Sequence, residues 1–329
     1  MVITQTPFRI SFFGGGTDYP AYFKDHPGAV LATSIDKYVY ITCRELPPFH
    51  EHKHRIIYSK MESVRELDEI IHPAVRECYK HMNVHVGLEL HHDSDLPARS
   101  GMGSSSSFVV GLLHALHTLK GEMVDKAALA REAIFVEQER IGEAVGCQDQ
   151  IMAAYGGFNH VTFGADGFSV QPMILKESRL QSLQSHMMLF YTGINRVASE
   201  VAKEQIKATP KKTTELQAMY EMVGEARGIL TSEAPIAGFG ELLHESWLLK
   251  RSLTSKVSNQ TIDEIYQAGL DAGAVGGKLL GAGSGGFMLF FVPPEKQNAV
   301  RMRLKNLLHV KFAFERAGTN IAFYRPAAA

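Results

Sequence analysis

The densest concentration of chemistry in this chain lies between Pro97 and Ser107, which read PARSGMGSSSS. Two glycines precede four consecutive serines, and an apolar run, Phe108 to Leu119, follows at once. That run predicts a mostly buried helix with serine as its N-cap. A loop feeding a helix N-terminus brings together free backbone N–H groups and the positive end of the helix dipole, a ready site for phosphate. Glycine lets the backbone close on an anion. The competing reading is a flexible Gly/Ser linker, but linkers seldom run into a strongly apolar helix without a polar spacer.

Two other segments are as rich in glycine. Thr6 to Pro20, TPFRISFFGGGTDYP, is a strand that ends in three glycines, then Thr17 and Asp18. Alone it is also what a hairpin turn with an Asx-type residue looks like. Gly276 to Phe287, GGKLLGAGSGGF, is a glycine-dense loop before a very apolar strand. It is either a mobile turn or a place where another backbone or a ligand approaches closely.

Other patterns fail on context. His50 to His54 spell H-E-x-x-H, but Pro47 and Pro48 precede them, so a solvated loop is expected rather than a zinc helix. Gly281, Gly283 and Gly286 spell G-x-G-x-x-G with a helix before and a strand after, the reverse of a dinucleotide fold. Neither a Walker A motif nor the protein-kinase signatures occur.

The elements that must position these loops are of mixed type. Strands are expected at Phe8–Phe13, Ala29–Ser34, Lys37–Cys43 and Val84–His91, and helices at 61–83 and 126–144. After scattered strand pieces in 155–168 come a strand at 186–192 and a long polar helix over 198–227. Helices at 239–255 and 259–272, a strand at 287–292, a helix at 295–308 and a strand near 312–315 complete the chain. The pattern predicts an α+β protein of two domains, residues 1–175 and 176–329.

The 329 residues carry a net charge of −1 and are 45% hydrophobic. No basic face is implied, so nucleic acid is not an expected partner. No apolar run approaches the ~20 residues of a membrane span, and no signal peptide is read at the N-terminus. Three scattered cysteines suit neither a disulfide framework nor a zinc site, and a cytoplasmic setting is expected.

In their order along the chain, the three glycine segments resemble the GHMP small-molecule kinases. The run ERIGEAVGCQDQ, Glu139 to Gln150, adds a fourth match. The resemblance implies a ribosomal-protein-S5-like N-terminal domain, a ferredoxin-like C-terminal domain, and ATP and substrate meeting between them. The pattern is most similar to the sugar-kinase branch that phosphorylates D-glycero-D-manno-heptose 7-phosphate at its anomeric hydroxyl, for nucleotide-heptose and cell-surface polysaccharide synthesis. Another sugar-1-kinase, for fucose, galactose or a uronic acid, and a non-catalytic sugar- and ATP-binding regulator are the alternatives.

The family pattern implies roles residue by residue. Pro97, Arg99, Gly101, Met102, Gly103, Ser104, Ser105, Ser106 and Ser107 would hold ATP. Ser105 and Glu139 would be the magnesium ligands, since that ion takes hard oxygens. Asp149 would accept the proton of the attacking hydroxyl, with Arg9 keeping it ionised and offsetting transition-state charge. Asp18, Gly15, Gly16, Arg196 and Gly283 would contact the substrate. Galactokinase carries Glu-His where this chain has Gly15 and Gly16, and the vacancy is expected to admit a longer sugar bearing its own phosphate. For that phosphate Arg196 and Arg99 are the better candidates, and Lys53, His54 and Arg55 a further group. Lys278 either is structural or faces the phosphates, Tyr38 and Tyr40 could wall the adenine, and Cys147 has no warrant as a nucleophile. Oligomeric state is not legible.

Overall fold

Apolar residues crowd the opening segment, which forms β1 (Val2–Phe13) and pairs antiparallel with β2 (Gly28–Glu45). The computed structural model describes residues 1–194 and 198–326. β2 is one long strand where the sequence suggests two, because register shifts in its pairing with β1 let it continue past Asp36. Five more strands follow: β3 (His54–Ile57), β4 (Met61–Val64), β5 (Leu88–Ser94), β6 (Phe158–Gly164) and β7 (Gly167–Pro172). The first half of β2 pairs with β6 and its second half with β5, so one strand holds two wings of the sheet.

The helices of this half are α1 (Pro20–Phe23), α2 (Pro73–His81), α3 (Ser104–Leu119), α4 (Lys126–Phe135) and α5 (Gln148–Tyr155). α3 is the central one, buried from Ser106 to Leu113 against β1 and β2. The expected helix over 61–83 shrinks to α2. Residues 61–64 pair with β3 instead, and His72 caps α2 just before Pro73, a proline suited to the first helical turn. The expected helix over 126–144 changes character after Phe135 and finishes as a π-helical turn, Val136–Ile141, ended by Gly142 at φ 76°.

The second half contributes α6 (Glu177–Ser185), α7 (Ala198–Ala208), α8 (Thr213–Thr231), α9 (Ala237–Leu253), α10 (Gln260–Asp271) and α11 (Gln297–Arg303). The long helix expected over 198–227 is broken at Thr209–Lys211, where Pro210 lacks the N–H that a continuous helix needs. Its sheet has four antiparallel strands, β8 (Met187–Tyr191), β9 (Gly276–Leu279), β10 (Phe287–Phe291) and β11 (Leu308–Val310), in the order β11–β8–β10–β9. Trp247, Tyr266 and Phe290 anchor the core between this sheet and its helices. Two closing strands, β12 (Phe314–Glu315) and β13 (Asn320–Tyr324), return to the first sheet and pair with β2 and β1. The α+β expectation holds, and the end of the chain is stitched into the first sheet.

Candidate active site

A cleft opens between the two halves. The first half lines it with the start of α3, the turn after β1 and the start of α5; the second lines it with α7, α9 and β9 with its following turn.

The α3 wall has the backbone features that suit a phosphate. Gly103, at φ 82°, takes the N-cap position and has no side chain to cap the helix. Glycine thus replaces the serine cap expected from sequence, and the N–H groups of the first turn are left for a ligand. Ser104, Ser105 and Ser106 line the cleft with Arg99, Gly101 and Gly103. Three residues assigned to ATP do not. Pro97 is exposed away from the cleft, buried Met102 gives its carbonyl to the Arg9 N–H at 3.1 Å, and Ser107 Oγ donates to Pro7 O at 2.9 Å, tying α3 to β1. The late glycine turn packs on this loop backbone to backbone. A Cβ on Gly281 would stand 2.4 Å from Gly101 Cα, and one on Gly286 would stand 2.1 Å from Ser100 O. That contact, rather than mobility, is the reason for the glycines.

The carboxylate beside Ser105 is Glu137. Ser105 Oγ donates to it at 2.9 Å, Ser106 Oγ at 2.7 Å, and Gln150 Nε2 also donates to it. Neither glutamate is part of the cleft lining, but Glu139 is exposed while Glu137 holds the Ser105 and Ser106 hydroxyls, which corrects the expected place of Glu139 as a metal ligand. Two residues on along a helical turn, a side chain faces away from the first. Burial pushes the Glu137 carboxyl up to about 7, against the pull of the two serines and Gln150. One buried carboxylate and a hydroxyl are the sparse hard-oxygen set that magnesium accepts when phosphate and water complete its shell. Among the described residues no cluster of three or more His, Cys, Asp or Glu could hold a metal by itself, the H-E-x-x-H segment included.

At the floor of the cleft Arg9 meets Asp149 in a two-pronged pair, Nε to Oδ1 and Nη2 to Oδ2 at 2.7 Å each, while Nη1 donates to Gly101 O at 2.8 Å. Asp149 is brought there by α5, whose start is held by a hydrogen bond from the Cys147 N–H to Asp18 O. Asp18 is buried and accepts from the Gly16 N–H at 2.9 Å and the Gln148 N–H at 3.4 Å. Burial raises its carboxyl, helped by the charge of Asp149 and opposed by those N–H donors. A side chain at Gly15 would find only ordinary contacts, 3.5 Å from Ser11 Oγ, whereas Gly16 sits at φ 114°. The vacancy is therefore at Gly15, and Gly16 is required by the backbone.

Other expected residues lie elsewhere. Gly283 faces the Val257 backbone, with a Cβ there 2.6 Å from Val257 O, and is outside the cleft lining. Arg55 is bound to Glu89 and His54 is buried against Tyr79, so the Lys53–Arg55 group does not reach the cleft. Tyr38 donates to Glu315 and is not part of the lining. Burial pushes the Cys147 thiol up to about 12, which suits no nucleophile. Arg196 lies outside the described residues. The cleft also holds two lysines that sequence reasoning passed over or left open. Lys250, in the last turn of α9, donates to Gly281 O, and Lys278, on β9, donates to Phe12 O at 2.8 Å, bridging the two halves. Only the apolar neighbours Leu249 and Leu253 hinted that Lys250 sits on a packed helix face.

Residues 69–157 match the family described as GHMP kinases N terminal domain, and residues 231–309 match GHMP kinases C terminal. The chain is 31% identical over 334 residues to a D-glycero-alpha-D-manno-heptose 7-phosphate kinase of Campylobacter jejuni, covering 96% of this chain and 97% of that one. It is 26% identical to a galactokinase of Pyrococcus furiosus, covering 95% of each. A solved D-glycero-D-manno-heptose 1-phosphate kinase from Bacteroides thetaiotaomicron superposes with a TM-score of 0.79 at 23% identity, over 99% of this chain and all of that one.

Proposed function

This chain belongs to the GHMP kinases, and from that premise we propose that it transfers the γ-phosphoryl of ATP to the anomeric hydroxyl of D-glycero-D-manno-heptose 7-phosphate, giving the 1,7-bisphosphate. The single observation that carries the reaction is the Arg9–Asp149 pair at the uncapped start of α3. The choice of sugar rests on the full-length likeness to the Campylobacter jejuni enzyme.

The residues divide the work. The Ser104–Ser106 N–H groups and the α3 dipole bind and orient the triphosphate. Asp149 accepts the proton of the sugar hydroxyl as its oxygen bonds to the γ-phosphorus and the bond to the ADP oxygen breaks, the electron pair leaving with ADP. Arg9 orients Asp149 through both carboxylate oxygens. Ser105 and Glu137 would hold magnesium, which supplies charge neutralisation to the phosphates when bound. Asp18 accepts hydrogen bonds from sugar hydroxyls, and the space at Gly15 leaves room for a longer chain. Nucleotide-heptose synthesis in the cytoplasm is the setting this product fits.

An assay with ATP and a panel of sugars and sugar phosphates, with the phosphorylated carbon assigned by NMR, tests the reading. Heptose 7-phosphate should be the preferred acceptor and C1 the site. Preference for galactose or fucose would replace the substrate, and no turnover with any acceptor would favour a regulator. Asp149→Asn should abolish turnover with ATP binding retained, and turnover that survives removes Asp149 from the mechanism.

A further inference from the structure

The second half of the molecule places a buried cation, Lys250, in the cleft. Lys250 lies in the last turn of α9 and is 6% exposed. Its ammonium has three N–H donors, and among the described residues its one hydrogen bond runs to Gly281 O. A buried ammonium satisfied by a single carbonyl is costly, and an anionic group entering the cleft would offset that cost.

The surroundings say where such a group would sit. Gly281 packs on Gly101 of the phosphate loop, so Lys250 looks from the opposite wall onto the space in front of the α3 N-terminus. Arg9 reaches the same loop through Gly101 O. Lys278 differs: its bond to Phe12 O ties β9 to β1.

We infer that Lys250 is a further catalytic residue, a cation that the second domain presents to the transferring phosphoryl group opposite Arg9. The inference rests on the kinase reading and not on the identity of the sugar. Its chemistry is electrostatic: Lys250 gives up no proton, and its charge offsets that spread over the phosphoryl oxygens in the transition state. The titratable and charged groups facing it are Arg9, Asp18, Asp149 and Lys278. Burial, and then the charge of Arg9, pull the ammonium down to about 8, against Asp18 and Asp149. Lys250 is thus charged at neutral pH, and the free enzyme loses the cation as pH rises through about 8.

The test compares Lys250→Met and Lys250→Arg with the wild type in the full-length protein. Calorimetric titration with a non-hydrolysable ATP analogue and with ADP separates the γ-phosphoryl from the rest of the nucleotide. Lys250→Met should bind the analogue ~10-fold or more weakly with ADP affinity nearly unchanged, and kcat should fall ~100-fold. The alkaline limb of kcat/KM near pH 8 should move upward in Lys250→Arg, whose guanidinium stays charged. Equal effects on analogue and ADP, no effect on either, or a limb that stays put in Lys250→Arg would overturn the inference. If Lys250→Met does not fold, the limb in the wild type and in Lys250→Arg still decides. A wrong sugar would show in the acceptor panel and leave the nucleotide titrations untouched.

Discussion

Glu89, on β5, and Glu137, on the π-helical turn, are both buried carboxylates, and their partners differ in kind. Glu89 accepts from Arg55 at 2.6 Å, from Arg44 at 2.5 Å and pairs with His91 at 2.9 Å. Burial pushes its carboxyl up, but the bonds from His91, Arg55 and Arg44 outweigh it and hold it at about 2. Glu137 has two hydroxyls and an amide, no cation, and is held up at about 7. A buried charge answered by protein cations is a structural part. A buried carboxyl answered only by neutral donors, beside an uncapped helix, is what the proposed magnesium site would require.

Three substitutions would break or sharpen that contrast. The largest effect is expected from Glu137→Gln, which keeps the shape and removes the charge: kcat should fall by ~100-fold or more, with magnesium affinity reduced and the melting temperature held or raised. A kcat near that of the wild type would put Glu137 among the structural groups.

Glu89→Gln should do the reverse, leaving kcat and KM alone while costing about 1–3 kcal/mol in a denaturant titration. The figure is discounted because Arg44 is half exposed. The effect has a pH signature. Since the folded Glu89 value lies below the ordinary 4.5, its contribution is complete above 4.5 and is lost as pH falls through about 2. Wild-type stability should therefore drop more steeply over that window than that of Glu89→Gln, and parallel curves would refute it.

The smallest effect belongs to Glu139→Gln, within about 0.5 kcal/mol in stability and with unchanged turnover, because its side chain is in solvent. A large loss of activity there would restore the pairing first expected from the sequence and demote Glu137.

The near miss between Glu137 and Glu139 shows how far reading residues can go. VEQER holds two glutamates two positions apart, and whichever one faces α3 depends on the phase of the turn. A π-helical turn alters that phase, and nothing in the local composition announces it. The break at Pro210 was missed as well, although a rule of covalent geometry announces it: a single helix over 198–227 was expected through a residue that has no N–H to give. The strand of residues 61–64 was missed because its pairing partner, β3, decides it.

The glycine-serine loop, the triple glycine before Asp18 and the late glycine turn were readable in the chain alone, since each expresses a backbone requirement that neighbouring residues satisfy: a cradle of N–H groups, a positive φ, a close approach. Which backbone approaches which was not. Arg9 and Asp149 are 140 positions apart, and Gly281 meets Gly101 only after the second sheet docks on the first. Lys250 shows the division most sharply, since by sequence it is one more lysine on a helix. Its burial, its lone carbonyl partner and its place in the cleft come from packing, because the cost of desolvating a charge depends on what the rest of the chain brings near it.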